Sequence, residues 1–381
     1  MSPLVPSLPS PTLPPLPAQI RKILVRSTNW IGDVVMISPA LAALRRRYPD
    51  ARLHVVCLPH LAECYIENPA VDAVVVFDRR GSDAGAAGLW RFAAKLRRSG
   101  YDMAVLFPKA IGGALMARLA RIPVRVGLAA DGRGWLLTHP VPLSAELRRR
   151  HHVEIFLDVA RAAGCDIIDR SPFFPVTSQA DDWARAFLQE NGAGRFPFLM
   201  AMHVGASKRP RAWHLERFVE TARRLGDTHG AGVLLVGGRG EGDDMAKAAA
   251  SLGERAINAC GRTSIQQMAA LIARCRVLLG NDSGPMHLAS ALGVPVVAIF
   301  GPGDPSRTAP YVASESSDSR VAIVSRRYPC APCRQAFFKE CYPSPAGKPM
   351  CLESIGVAEV VRAASALIEK SARAAGSPSA G

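Results

Sequence analysis

The chain has no apolar run near the ~18 residues that a membrane-spanning helix needs. It also lacks the basic start and unbroken apolar segment of a secretory signal. Residues 1–18, MSPLVPSLPSPTLPPLPA, carry a proline at nearly every third position instead. They read as a flexible, polyproline-like leader. No G-x-G-x-x-G follows the first strand of either half, which disfavours a nicotinamide-dependent dehydrogenase. There is no single long basic tract, no zinc-finger spacing and no RNA-binding aromatic signature, so nucleic acid is not an expected partner.

What is present is ordinary for a protein that buries real cores. Of 381 residues, 49% are apolar and 21% charged. That length suits two domains. The formal net charge is +15. Its cations come in short groups, such as Arg45–Arg47, Arg148–Arg150 and Lys208–Arg211. Such a balance fits a phosphate-rich substrate or an anionic membrane surface, and also a plain Arg-rich background. Together these features predict a soluble, cytoplasmic protein without a transmembrane segment, touching a membrane by charge at most. Of nine cysteines, Cys57, Cys64, Cys165, Cys260 and Cys275 sit in apolar or helical settings and read as buried thiols. Cys330, Cys333, Cys341 and Cys351 are grouped. Their spacing allows a structural zinc or iron–sulfur site, although unligated thiols are the favoured reading.

The fold class is α/β. "ILV", "VVMISPALAALRRRY" and "RLHVVCL" make a strand, a helix and a strand. "DAVVVFD", a helix near residues 89–99, "YDMAVLFP", a helix through Ala120 and "VRVGL" continue the rhythm. It restarts at "FPFLMAMHVGAS" and runs through "GVLLVGG", "AINACG", "VLLGNDSG" and "PVVAIFG". Two doubly wound, Rossmann-like parallel sheets facing a cleft follow from this pattern. The expected domains are 19–185 and 186–356, with a boundary near 178–196, a final helix over 357–372 and a disordered tail at 373–381. Ligands bind beyond the carboxyl ends of such strands. Each half places one polar turn there: "STNWIGD" and "GNDSGPMH".

The second turn is the more informative. A helix N-terminus carries unpaired N–H groups and a partial positive charge, which suits a phosphate or pyrophosphate. Ser283 and Gly284 allow close backbone approach, Pro285 fits the first turn, and a pyrophosphate is expected over the backbone of residues 283–286, Met286 included. Asp282 caps the helix or orients the loop, and His287 faces the same site. A plain strand–cap–helix junction is the alternative.

These residues carry a resemblance. "GNDSGPMHLASALGVPVVAIFGPGDPSRTAPY", "CGRTSIQQMAALIARCRVLLG" and "ILVRSTNWIGDVVMISPALAALRRRYPDARLHVV" together resemble the heptosyltransferases, glycosyltransferase family 9. "TNWIGDVVM" is nearer the type II than the type I enzymes. The likeness spans residues 20–370. It implies a GT-B fold and an inverting transfer of heptose from ADP-heptose to the inner core of lipopolysaccharide. No metal or other cofactor is implied as required, and the nucleotide sugar is held by the second domain. It places the acceptor at the inner membrane surface.

The resemblance also implies roles. Asp33 is the expected general base, although from the residues alone an N-cap is an equal reading. Asn29, Trp30 and Gly32 belong to the acceptor side. In "HVGASKRPRAWH", Arg211 stands where the family has Lys and His214 where it has Pro, so either Lys208 or Arg211 is the cation for the diphosphate. A solvated basic loop is the bland alternative. Glu241 or Asp243 would accept the ribose hydroxyls, and Gly261 and Thr263 lie near the adenine edge. The cations of 118–133 and the segment 148–156 suit an anionic acceptor, with His151 and His152 more simply surface residues. A family member using another nucleotide sugar or acceptor, and a nucleotide-binding regulator without turnover, are the competing functions.

Overall fold

The computed structural model describes residues 14–206, 208–313, 320–330, 333, 341, 344 and 347–376. The first half contains β1 (Lys22–Arg26), α1 (Ile31–Met36), α2 (Ser38–Arg47), β2 (Arg52–Cys57), β3 (Ala73–Val76) and α3 (Gly85–Arg98). It continues with β4 (Met103–Leu106), α4 (Ile111–Leu119), β5 (Val124–Ala129), β6 (His139–Pro142) and α5 (His152–Ala162). The strands form one sheet in the order β3-β2-β1-β4-β5-β6. All its pairings are parallel; Val25 of the central β1 lies between Val55 and Val105. Helices cover both faces of such a sheet, which is why its strands are almost continuously apolar.

The single helix expected over residues 34–48 is two. Pro39 has no N–H to give to the Val35 carbonyl, so the ladder breaks. The Ser38 hydroxyl donates to that carbonyl instead, at 2.7 Å. Asp33 therefore sits in the first turn of the six-residue α1, behind Trp30 at the N-cap, and is not itself the cap. The expected flexible leader lies outside the described residues as far as 13. From residue 14 the chain is held: the Pro14 carbonyl meets His139 Nε2 at 2.9 Å.

The second half contains α6 (Ser178–Glu190), β7 (Leu199–His203), α7 (Leu215–His229), β8 (Gly232–Leu235), α8 (Gly242–Leu252) and β9 (Ala256–Asn258). Then come α9 (Ile265–Ile272), β10 (Val277–Asn281), α10 (Gly284–Ala291), β11 (Val296–Phe300) and α11 (Pro305–Thr308). β12 (Val321–Ser325), α12 (Met350–Glu353) and α13 (Val357–Gly376) complete it. Its parallel sheet runs β12-β11-β10-β7-β8-β9. Counted within its own half, this is the same order as the first sheet. The order reverses between β1 and β4 in one sheet and between β7 and β10 in the other, and the polar turns follow these strands.

Residues 178–190 are helical and pack on α9, where Arg274 Nη1 donates to Asp181 at 2.6 Å. The two halves are also tied directly. Ile265 N–H donates to Glu63 at 3.1 Å, and Gln266 Nε2 donates to the Glu63 carbonyl at 3.0 Å. α1 and α10 meet N-terminus to N-terminus across the cleft.

Candidate active site

A cavity of about 1020 Å³ lies between the two sheets' carboxyl ends. It is at the upper end of ordinary small-molecule sites, a size suited to a nucleotide sugar. It is walled by the turns after β1, β7 and β10 and by the starts of α9, α10 and α11.

The turn after β10 is held from beneath. Asn281 is fully buried. Its Nδ2 donates to the carbonyls of Val204 and Gly205, at 2.8 and 3.1 Å, and its Oδ1 accepts the Trp213 N–H at 2.9 Å. One side chain thus fixes the exit loop of β7 to that of β10. Asp282 pairs with Arg211, whose Nη2 also donates to the Asp282 carbonyl at 3.2 Å. Burial pushes the Asp282 carboxyl up, and the Arg211 charge offsets this only in part. Both Lys208 and Arg211 line the cleft, and Arg211 is joined to the turn through Asp282.

Beside this turn runs a chain of three side chains. His203 Nε2 lies 3.1 and 3.2 Å from the two carboxylate oxygens of Glu241. His203 Nδ1 lies 3.0 Å from the Ser283 hydroxyl. Glu241 Oε2 also accepts the Gly238 N–H at 2.8 Å. Burial pushes the Glu241 carboxyl up, but the His203 hydrogen bond and charge and the Gly238 N–H together hold it below the usual carboxylate range. Gly205 and Gly237 make room for this carboxylate: a Cβ at 205 would overlap Oε1, and one at 237 would come within 2.6 Å of Oε2. Those glycines serve a side chain of the protein.

On the first half's side, Asp33 projects into the cleft with its carboxyl 26% exposed. His152, at the start of α5, places Nδ1 3.7 Å from Asp33 Oδ1, and Arg307 Nη2 lies 3.4 Å from His152 Nε2. His287 packs into the same region, buried. Burial drives its pKa down to about 4 against the opposing charge of Asp33, so the ring is neutral near pH 7. Lys109 is also held down, by burial and then by the nearby Arg307 and Arg148.

Several expected site residues come together: Asn29, Trp30, Gly32, Asp33, Lys208, Arg211, Glu241, Thr263, Asp282, Ser283, Gly284, Pro285 and His287 all line the one cavity. Asp243, Gly261 and Met286 do not. Asp243 is exposed on α8, Met286 is fully buried, and Gly261 forms a positive-φ turn against Arg239. Two expectations need correction. The close approach that Gly284 permits is to the protein: a Cβ there would meet Ile31 Cβ of the first half at 3.1 Å. Nor are the two adjacent histidines surface residues. His151 caps α5, accepting the Val153 N–H at 3.2 Å, and its Nε2 donates to the Ala309 carbonyl of the other half at 2.9 Å. His203 was not expected at all. Its signal was a polar residue ending the apolar strand "LMAMH" beside the cleft.

Cys333 reaches the cleft wall, while Cys351 is buried. Burial, then the nearby Cys330, Cys333 and Cys341, pushes the Cys351 thiol up to about 11. Among the described residues, no group of three or more His, Cys, Asp or Glu side chains is placed to hold a metal ion.

Known proteins share this architecture. The chain is 27% identical over 307 residues to the lipopolysaccharide heptosyltransferase 2 of Salmonella typhimurium, covering 76% of this chain and 85% of that protein. The structure of the E. coli ADP-heptose LPS heptosyltransferase II superposes with a TM-score of 0.74 at 23% identity, over 92% of this chain and 99% of that one. That of the E. coli heptosyltransferase WaaC with ADP-2-deoxy-2-fluoro heptose does so with a TM-score of 0.63 at 18% identity, over the same shares. These likenesses show a GT-B fold of two all-parallel six-stranded sheets. The model of glycosyltransferase family 9 (heptosyltransferase) matches residues 89–341, about two thirds of the chain, and the protein belongs to that family.

Proposed function

We propose that the protein is an inverting heptosyltransferase of the type II kind, moving heptose from ADP-heptose to the inner core of lipopolysaccharide at the cytoplasmic face of the inner membrane. One observation carries this reading. Asp33 and the turn Asp282–Gly284 stand on facing helix N-termini on opposite walls of one cleft. The names of the relatives, and the donor analogue bound by WaaC, support the choice of donor and acceptor.

The chemistry is a single displacement. The acceptor hydroxyl oxygen attacks the anomeric carbon, and the bond from that carbon to the β-phosphate oxygen breaks. Asp33 takes the hydroxyl proton, and ADP leaves with the electron pair. The leaving diphosphate lies over the backbone N–H groups of Ser283, Gly284 and Met286, with Lys208 and Arg211 close by; these fixed donors and charges stabilise it without a metal. Asp282 holds Arg211 and the loop and stays off the phosphate. Glu241 accepts the ribose hydroxyls, Thr263 lies by the base, and Asn29 and Trp30 face the acceptor. The neutral His287 supports the α1–α10 contact.

The test is mass-spectrometric detection of heptose transfer from ADP-heptose to heptose-deficient lipopolysaccharide core, with the product's anomeric configuration read by NMR. Inverted product supports the proposal. Transfer only from a different nucleotide sugar, or none from any, would replace it with another family 9 activity or a binding role.

A further inference from the structure

We propose that the outer face of α3, α4 and the β5–β6 connection is a docking surface for an anionic lipid bilayer. The crossovers β3–β4, β4–β5 and β5–β6 lie side by side on one face of the first sheet. Their inner sides share a core containing Phe92, Leu96, Ala114, Ala117 and Leu136. α4 touches both α3 and the short 3-10 turn Gly134–Leu136. What these elements turn outward is unusual. Trp90 on α3 is 64% exposed and Trp135 in the turn 75% exposed. Between them, Ile111, Leu115 and Leu119 recur every four residues along one stripe of α4, with Ile111 and Leu119 exposed.

The charge says what covers this face. Residues 84–125 contain eight Lys or Arg and one acid, Asp102. Asp102 is committed, accepting the N–H groups of Arg21 and Lys22 at 2.8 Å each. Arg91, Lys95, Arg97, Arg98, Arg118 and Arg121 are exposed, and among the described residues none of them pairs with a carboxylate. A protein interface gathers its apolar residues into a core depleted of charge. Here tryptophans and aliphatics alternate with unopposed cations, the pattern of an element lying in the headgroup region of an anionic membrane. No helix among the described residues is long and apolar enough to cross one. The face also ends in the right place. Ile111 follows the carboxyl end of β4, next to Lys109 and the cleft's first-half wall. A lipid acceptor would then reach Asp33 while its acyl chains stay in the bilayer. The proposal rests on the lipopolysaccharide reading only for this last purpose, and vesicle binding tests it separately.

The experiment is co-sedimentation of the full chain with phosphatidylcholine vesicles and with equimolar phosphatidylcholine–phosphatidylglycerol vesicles. Tryptophan fluorescence is followed in parallel. Binding is expected to the anionic vesicles, with a blue shift, and to weaken with salt. Trp90→Ser/Ile111→Ser/Trp135→Ser and, separately, Arg97→Glu/Arg98→Glu should each lower it about tenfold or more. The melting temperature and turnover on detergent-solubilised acceptor should stay unchanged. No binding by the wild type, or undiminished binding by both variants, would overturn the proposal. So would variants that instead abolish a wild-type dimer in size-exclusion chromatography, because the face would then be a protein interface.

Discussion

His287 is seated directly over Gly32: a Cβ at residue 32 would come within 2.6 Å of His287 Cδ2. The contact joins the first turn of α1 to the first turn of α10, and so one wall of the cleft to the other. Gly32 has no positive φ, so the backbone would accept alanine. Gly32→Ala should even favour the isolated helix. The added methyl must displace a buried ring, an overpacking that costs about 1–3 kcal/mol. The expected result is a folded protein whose kcat/KM falls about tenfold or more. Wild-type kinetics in the alanine variant would mean that the two helix ends need not meet for transfer.

Asp33→Asn is expected to bind ADP nearly as the wild type does and to lose turnover. The carboxyl is on the first half's wall, opposite the turn that takes the diphosphate, so the nucleotide should hardly sense it. Loss of a general base typically lowers the rate by about 10²–10⁴-fold. Calorimetric titration with ADP and single-turnover transfer measure the two effects independently. A kcat within a few-fold of wild type would remove Asp33 from the reaction.

Much of this was legible because buried parallel strands are simple to read: "ILV", "VLLGN" and "VVAIF" carry few polar residues and end at polar turns. The edges were harder. β6 is "HPVP", where two prolines mask a strand that needs few ladder bonds at the sheet's rim. The split between α1 and α2 turns on one proline and one serine hydroxyl. The glycines were harder for a different reason. A sequence shows that a backbone position must stay clear, but not what approaches it. At Gly32, Gly205 and Gly284 the visitor is another part of the chain, distant in sequence. His203 was invisible for the same reason, because both of its partners lie 38 or more residues away.

A divalent chelator in excess should leave transfer intact. The donors assigned to the diphosphate are backbone N–H groups of α10 and the cations Lys208 and Arg211, none of which needs a bridging ion. Loss of activity in EDTA that Mg²⁺ or Mn²⁺ restores would show that the leaving group requires more charge than these supply.

Acid should destabilise the protein through its buried histidines. His287 and His151 are each held near a pKa of about 4, mainly by burial, against an ordinary 6.5. The unfolded chain therefore binds more protons between pH 6.5 and 4, and stability falls as the pH drops through that window. For His287 the loss is on the order of 3 kcal/mol. Urea unfolding across this range is expected to show a smaller pH slope in His287→Asn than in the wild type. Equal slopes would place the acid sensitivity elsewhere.

The chain Glu241–His203–Ser283 makes a prediction that separates positioning from plain stability. His203 meets both carboxylate oxygens of Glu241 and the hydroxyl of Ser283, the N-cap residue of α10. If Glu241 reads the ribose, His203 sets the pose in which it does so. Removing a hydrogen bond to a charged group costs about 1.5–3 kcal/mol, so His203→Ala should weaken ADP binding roughly tenfold or more. It should weaken ADP more than 2′-deoxy-ADP, eroding the preference for the ribose hydroxyl. Glu241→Gln should erode it too, and His203→Asn, which keeps a donor, should recover part of it. A variant that merely loosens the fold would lower both affinities alike. If Glu241→Gln abolishes the preference while His203→Ala leaves it intact, the ribose contact stands and the positioning role of His203 is wrong. If neither changes it, Glu241 does not read the ribose, and this half-buried acid serves only to tie the loop after β8 to the end of β7.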